Sequence, residues 1–388
     1  MLKTAASSRG SGEAKVRQEK SVKACNEMKI LVLANNDVGL YKFRKELLQE
    51  MLNNGYRIFL SLPEGEYTPL LKEMGCTFCK TTLDRRGINP FKDMRLLLQY
   101  FRLVRKIKPN VVLTYTIKPN IYGGIVCRIS HTKYIANVTG LGTAIENKGV
   151  LATILLYLYK TGLKGAAQVF FQNESNQLFF QRKGLIKRSR LISGSGVNLE
   201  EHCYEEYPEE SGEIRILYVG RIMKDKGVGE LLTGAEQLKK NHPNIFFDLA
   251  GDYDEESFRD RIEKLEESRI VRYLGQQSDI HSIMKEHHAI ILPSYHEGLS
   301  NVLLEAAACG RPVLATDVSG CRETFEDGIS GIGFKPKSSE ALVRAVERFI
   351  DLPYDLKRQM GIHGREKVER EFDRRNVIHA YMQEIKGI

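Results

Sequence analysis

Short apolar runs alternate with longer amphipathic stretches along this chain, and few folds accept that rhythm. Residues 29–34, 57–62, 111–115 and 133–138 read as strands. Between them, 41–54, 90–108 and a stretch from Asn120 read as helices, with a loop at 35–39. The pattern restarts at Ile214, with strands at 214–219, 245–250, 271–274, 289–293 and 312–316. Helices near 338–351 and 354–371 follow. Apolar strands separated by helices predict parallel sheets covered on both faces. The expected fold class is α/β: two facing, doubly wound, Rossmann-like domains. Ligands of such domains bind in the cleft at the carboxyl ends of the strands.

The acidic, loop-like stretch 191–213 marks the junction between the two series. The expected divisions are a disordered tail (1–27), a first domain (28–195), a linker (196–213), a second domain (214–371) and a last helix (372–388) crossing back over the first. Charge divides at the same place. Residues 28–190 hold 26 Lys/Arg against 10 Asp/Glu, whereas 191–388 hold 26 against 36. A basic first half predicts an anionic partner, either a lipid surface or a substrate. The stretches 95–108 and 150–164 mix apolar residues with Lys and Arg. They suit a membrane interface, or else a core-facing helix with a basic outer face.

Several function classes recede. No apolar run approaches the roughly 18 residues needed to span a bilayer. Residues 1–27 lack the apolar segment of a signal peptide. Seven scattered cysteines suit a reducing compartment, and the isolated CxxC at Cys76–Cys79 reads as strand rather than metal site. No GxGxxG follows the first strand, which argues against a nicotinamide or flavin dinucleotide. No zinc module or stacked-aromatic RNA motif is visible, so nucleic acid is not an expected partner.

The chemistry concentrates in residues 289–320. A strand leads into a loop at 294–300, then a helix of about ten residues ending near Gly310. Ser300 and Asn301 are good N-caps, and free N–H groups at a helix start favour an anion at Gly298–Asn301. Glu297 lies in the loop and Glu305 in the helix. A carboxylate such as Glu305 can accept from two vicinal hydroxyls, as a ribose requires. A second strand-to-helix loop carries Gly220, Arg221, Lys226 and Gly227. It supplies a planar guanidinium fork and a point charge for phosphate oxygens.

Gly220-Arg221…Lys226-Gly227, Gly251-Asp252, Leu274-Gly275…Asp279, Pro293-Ser294…Glu297-Gly298…Glu305-Ala306…Gly310…Pro312-Val313…Gly320 together resemble the donor domain of family 4 retaining glycosyltransferases, of the GT-B fold. The resemblance spans essentially all of 214–371. It implies that Arg221 and Lys226 bind the nucleotide diphosphate, that Glu297 and Glu305 contact donor sugar and ribose, and that the backbone of Gly298, Leu299, Ser300 and Asn301 holds the distal phosphate. Arg221, Lys226 and Glu297 become the expected catalytic residues, with Gly220 beside them. Asp252-Tyr253-Asp254 has the form of a DxD metal motif. In this fold diphosphate charge is met by Arg, Lys and a helix end, so neither metal nor organic cofactor is expected.

The first domain narrows the resemblance. Tyr41–Arg44, Lys118–Gly123, Gly140–Gly142 and Asn173–Asn176 are similar to bacterial enzymes building capsule, O-antigen or N-glycan precursors, such as undecaprenyl-diphosphate-linked GalNAc transferases. This implies a UDP-sugar donor of GalNAc, GlcNAc or Gal type, and a polyprenyl-diphosphate-linked acceptor. It also implies a peripheral position on the cytoplasmic membrane face. Gly39, Arg44, Lys118, Asn120, Gly140 and Gly142 are the expected acceptor and cleft residues. One departure stands out: many relatives carry His where this chain has Ile117. Two rivals are a UDP-sugar 2-epimerase of similar architecture and a non-enzymatic basic protein that binds membrane or nucleic acid.

Overall fold

The computed structural model describes residues 28–84, 87, 89–140 and 149–388. The expected disordered tail and Gly142 lie outside the described residues.

The first sheet is built by β1 (Lys29–Leu33), α1 (Asp37–Asn53), β2 (Arg57–Leu62), α2 (Thr68–Glu73), β3 (Thr77–Lys80), α3 (Pro90–Ile107) and β4 (Val111–Tyr115). It continues through α4 (Gly124–Ile129), β5 (Lys133–Val138), α5 (Val150–Leu163), β6 (Gln168–Phe171), α6 (Glu174–Arg182) and β7 (Ser189–Leu191). Its strand order is β3-β2-β1-β4-β5-β6-β7, with every pair parallel. Both faces are covered. Ile30 and Val32 pack into one core while Leu31 and Leu33 pack into the other, the two-residue alternation of a strand buried on both sides.

The second sheet follows from β8 (Ile214–Val219), α7 (Val228–Asn241), β9 (Ile245–Ala250), α8 (Arg259–Glu267), β10 (Val271–Gly275), α9 (Ile280–Met284) and β11 (Ala289–Leu292). Then come α10 (Asn301–Ala308), β12 (Val313–Thr316), β13 (Gly331–Phe334), α11 (Ser339–Ile350), α12 (Tyr354–Glu371) and α13 (Arg374–Lys386). The order is β10-β9-β8-β11-β12-β13, again all parallel. Strand order reverses between β1 and β4 in one sheet and between β8 and β11 in the other. Crevices open at such switch points.

Some boundaries differ from the sequence reading. The first helix begins at Asp37 rather than near residue 41, because Asn36 Oδ1 caps it by accepting the Gly39 N–H at 2.6 Å. Gly39 therefore belongs to a helix turn rather than a loop. The helix after residue 300 has eight residues, not ten. The segment from Pro119 opens as a π-helical turn before α4. The strands β6, β7 and β13 are three or four residues long, too short to show a period.

The chain passes between the sheets twice, side by side. The Val197 N–H donates to Phe372 O at 2.9 Å, and the Arg374 N–H donates to Val197 O at 3.1 Å. Gly196 has φ +64°, and a Cβ there would meet Arg374 Cα at 2.4 Å. Beyond this crossing, α13 joins the first domain. Val377, Ala380, Tyr381 and Ile385 enter its core. Asn137 Nδ2 donates to Tyr381 OH at 2.6 Å.

Candidate active site

The two switch points face one another across a cavity of about 250 Å³. Asn35, Gly39, Arg44 and Thr116 line it from the first domain, and Glu297, Gly298, Leu299 and Asn301 from the second. Both walls follow from strand ends, since β1 and β4 stop at one and β11 leads to the other.

On the second-domain side, Lys226 ends a short 3-10 turn after β8. Gly227 follows with φ +69°, and a Cβ there would lie 2.1 Å from Pro293 O. Only glycine lets the β8 loop lie this close to the β11 loop. The closeness brings Lys226 Nζ to 2.5 Å from Glu297 Oε1, and Ser294 Oγ donates to the same oxygen at 2.8 Å. Both charged side chains are mostly buried, at 21% and 14% exposed. Lys226 and Glu297, expected to act on one ligand, therefore form a charge-assisted pair. Gly320 stands behind them with φ +88°, where a Cβ would meet Glu297 O at 2.6 Å. Arg221 is about half exposed and donates to Asp254 Oδ2 at 2.9 Å. The second acid of the DxD stretch thus serves as a counter-ion.

The helix start has the expected form. Ser300 Oγ accepts from the Leu303 N–H at 3.4 Å, capping α10. Glu305 lies further along this helix at 14% exposure. Burial raises its carboxyl to about 7, while Arg374 and Lys42 pull it back down. His202 Nε2 is 4.0 Å away. Burial, then His281, lowers that imidazole to about 4, so His202 is neutral at pH 7.

Domain contact centres on Gly298. A Cβ on it would come within 1.6 Å of Thr139 O, and Gly140 lies opposite. Asn173 Nδ2 donates to Gly298 O at 2.5 Å, and Asn173 also caps α6. The first domain thus touches the backbone expected to hold the distal phosphate.

The expected acceptor residues do not all meet. Arg44 is buried over the rings of Tyr115 (5.4 Å) and Tyr381 (5.7 Å) at the cavity wall. Lys118 borders a neighbouring cavity with Ile117 and Gly140. Its ammonium, however, is held by Asp93 Oδ1 at 2.7 Å and Gly87 O at 2.8 Å. Asn120 does not reach the cleft. It is fully buried, accepting from Thr114 Oγ1 at 2.6 Å and donating to Asn137 O at 2.8 Å. Its amide ties β4 to β5, which explains a polar residue there without any ligand.

Thr116 escaped the sequence reading. Its φ is +71°, unusual for a β-branched residue and a mark of local strain. Its Oγ1 is buried without a partner among the described residues, and the residue borders both cavities. Asn301 Oδ1, at the helix start, is likewise buried and unpartnered. Only backbone geometry marks Thr116; residue type gives no signal.

Comparison with known proteins agrees with this arrangement. The family profile described as "Glycosyl transferases group 1" matches residues 204–367, and "Glycosyl transferase 4-like" matches 29–173. The N,N'-diacetylbacillosaminyl-diphospho-undecaprenol alpha-1,3-N-acetylgalactosaminyltransferase of Campylobacter jejuni is 27% identical over 342 residues, 84% of this chain and 90% of that protein. The capsular polysaccharide biosynthesis glycosyltransferase CapM of Staphylococcus aureus is 26% identical over 74% of this chain and 79% of its own length. Among solved structures, Anabaena HepE in complex with UDP and glucose superposes with a TM-score of 0.75 at 17% identity, covering 93% of this chain and all of that one. Sucrose-phosphate synthase from Thermosynechococcus elongatus gives 0.74 at 20% identity, over 92% and 98%. The fold is that of GT-B enzymes, and with one profile on each half, the chain belongs to the family 4 type of group 1 glycosyltransferases.

Proposed function

We propose that the enzyme moves a GalNAc, GlcNAc or Gal-type sugar from a UDP-sugar to a polyprenyl-diphosphate-linked saccharide, with retention of anomeric configuration. The observation that carries this reading is the Lys226–Glu297 pair at one switch point, opposite a cavity rooted in the other. The activity for which the Campylobacter jejuni relative is named supports the acceptor class, and UDP in the HepE structure supports the donor.

The anomeric carbon–oxygen bond breaks toward the diphosphate. Negative charge grows there, and positive charge grows on the sugar. Lys226, Arg221 and the N–H groups at the start of α10 oppose the first, and Glu297 orients and stabilises the second. An acceptor hydroxyl oxygen then bonds the anomeric carbon. Its proton passes to the departing phosphate oxygen, so no side-chain base is required. Arg, Lys and the helix end carry the diphosphate charge, and catalysis proceeds without a metal.

An anionic cytoplasmic membrane face completes the proposal. Phe91, Met94 and Leu98 form an exposed stripe on α3, and Val150, Ile154 and Tyr157 form another on α5. The helix α4 lies between them, ending in exposed Ile129. Arg95, Arg102, Arg105, Lys160 and Lys164 flank these stripes and are exposed. Apolar rows edged by cations suit an anionic interface. Among the described residues no helix is long and apolar enough to cross a membrane.

A panel of radiolabelled UDP-sugars against short polyprenyl-diphosphate sugars tests the reaction. Retained configuration with one UDP-sugar is expected. Epimer formation from UDP-GlcNAc without acceptor would favour the rival enzyme class. Sedimentation with anionic vesicles tests the membrane face. Phe91→Asp with Tyr157→Asp should abolish co-sedimentation; unchanged binding would sink that part.

A further inference from the structure

A second cluster of functional groups lies beyond His202, whose ring is 5.8 Å from that of His281, and none of its members lines the cavity described above. Cys203 and Glu205 come from the linker and His281 from α9. Their donor atoms converge: Cys203 Sγ lies 3.5 Å from His281 Nε2 and 3.6 Å from Glu205 Oε1, and Nε2 lies 3.0 Å from Oε1. A tetrahedral zinc ion bound through sulfur, imidazole nitrogen and carboxylate oxygen demands edges of about 3.5, 3.6 and 3.4 Å, from its usual bond lengths. The triangle is already nearly that size.

The carboxylate is the common acceptor: with the proton on Nε2, both Nε2–H and the thiol donate to Glu205 Oε1. Once the thiol is ionised and Nε2 is bare, the same three atoms become the ligand set of a metal ion. His281 Nδ1 is buried without a partner among the described residues, and a metal on Nε2 would place the ring proton there. A cation at the centre satisfies all three groups at once.

The frame around the triangle is rigid. Arg311 has no exposed surface and donates to Glu205 O (3.0 Å), Glu206 O (2.6 Å) and Lys285 O (3.0 Å). One guanidinium thereby fixes the linker against the end of α9. Arg365 donates to His202 O at 2.9 Å and to Ala308 O at 2.8 Å, fixing the residue before Cys203. Cys203 is exposed, which leaves the fourth coordination position to water.

We propose that Cys203, Glu205 and His281 form a zinc-class metal site that fastens the interdomain linker to the second domain. Thiolate and imidazole select a borderline transition ion over magnesium or calcium. Binding releases the thiol proton to solvent. The site is structural, separate from the diphosphate loops, and independent of the metal-free transfer chemistry.

Co²⁺ is the probe. The full chain, freed of metal by chelator and dialysed, is titrated with Co²⁺ and followed by absorption. One equivalent should produce a thiolate-to-cobalt charge-transfer band with tetrahedral ligand-field intensity, and Zn²⁺ should bleach it. Cys203→Ser should remove the band, and His281→Ala should weaken binding by at least about 100-fold. Thermal unfolding of the wild type should shift upward with added Zn²⁺ and not with Mg²⁺. Co²⁺ binding without the band in wild-type protein would overturn the proposal, whatever the variants do. So would a band that survives in Cys203→Ser.

Discussion

The two walls of the cleft are built on the same plan but provisioned differently. On the second-domain wall the charged groups are already engaged. Lys226 holds Glu297, Ser294 supports it, and Arg221 holds Asp254. On the first-domain wall polar groups turn away from the cleft or stand unpaired. Lys118 faces Asp93, Asn120 serves the core, and the Thr116 hydroxyl has no partner among the described residues. A rigid, charged ligand end rewards preorganised charge. The proposed lipid-linked acceptor would instead be gripped through shape and through the proposed membrane contact outside the cleft.

The sharpest way to break this comparison is to remove the preorganised charge. Lys226→Ala or Glu297→Gln should slow transfer by on the order of 100- to 1,000-fold, read as kcat. Near wild-type turnover in either would dissolve the asymmetry. The contact between the walls comes next. Gly298→Ala places a Cβ against Thr139 O, forcing the walls apart. Transfer should fall about 100-fold, as misplacement by an ångström costs, while UDP binding to the isolated wall, measured calorimetrically, is mostly kept.

A smaller effect follows from Glu305. Its carboxyl is raised to about 7 by burial, and under the proposed role the ribose hydroxyls of the donor would donate to the ionised form. UDP affinity should therefore rise about tenfold between pH 6 and pH 8, following the ionised fraction. Glu305→Gln should remove that rise beyond what the phosphate itself shows. The sign for stability is opposite. The folded protein binds the proton more tightly than the unfolded chain, so this stabilisation is full below about 4.5 and lost as pH climbs toward 7. Denaturant titrations of wild type and Glu305→Gln across that window should diverge accordingly. The smallest effect on transfer belongs to Lys118→Ala. With its ammonium tied to Asp93 and both side chains only 15% exposed, stability should drop by about 3 kcal/mol, while transfer changes less than about threefold. A large loss of kcat there would restore Lys118 to the cleft.

The same asymmetry governs what was readable in the chain. The alternation of strands and helices announces both sheets, since a parallel sheet buried on two faces writes its strands as apolar runs. Lys226, Glu297 and Ser300 are legible because they sit at strand ends and at a helix start, where position along the chain dictates position in space. Asn120 misleads because sequence names a side chain without its direction, while Lys118 does line the neighbouring cavity with its ammonium tied to Asp93. Thr116 is invisible until its backbone angle is known. Cys203 and His281 lie 78 positions apart, so no local pattern could join them. Short strands such as β7 escape because three residues carry no period.

The double crossing at Val197 and Asp373 has a mechanical consequence. A single tether would let one domain swing and twist freely on the other. Two adjacent segments, bonded across Val197 and clasped by Arg374, whose Nη1 donates to Glu46 at 2.6 Å, join the domains at two points side by side. Twisting one domain on the other would have to break these bonds, which a single tether would not require. The glycine seam at Gly298 and Gly140 is where the two walls already meet.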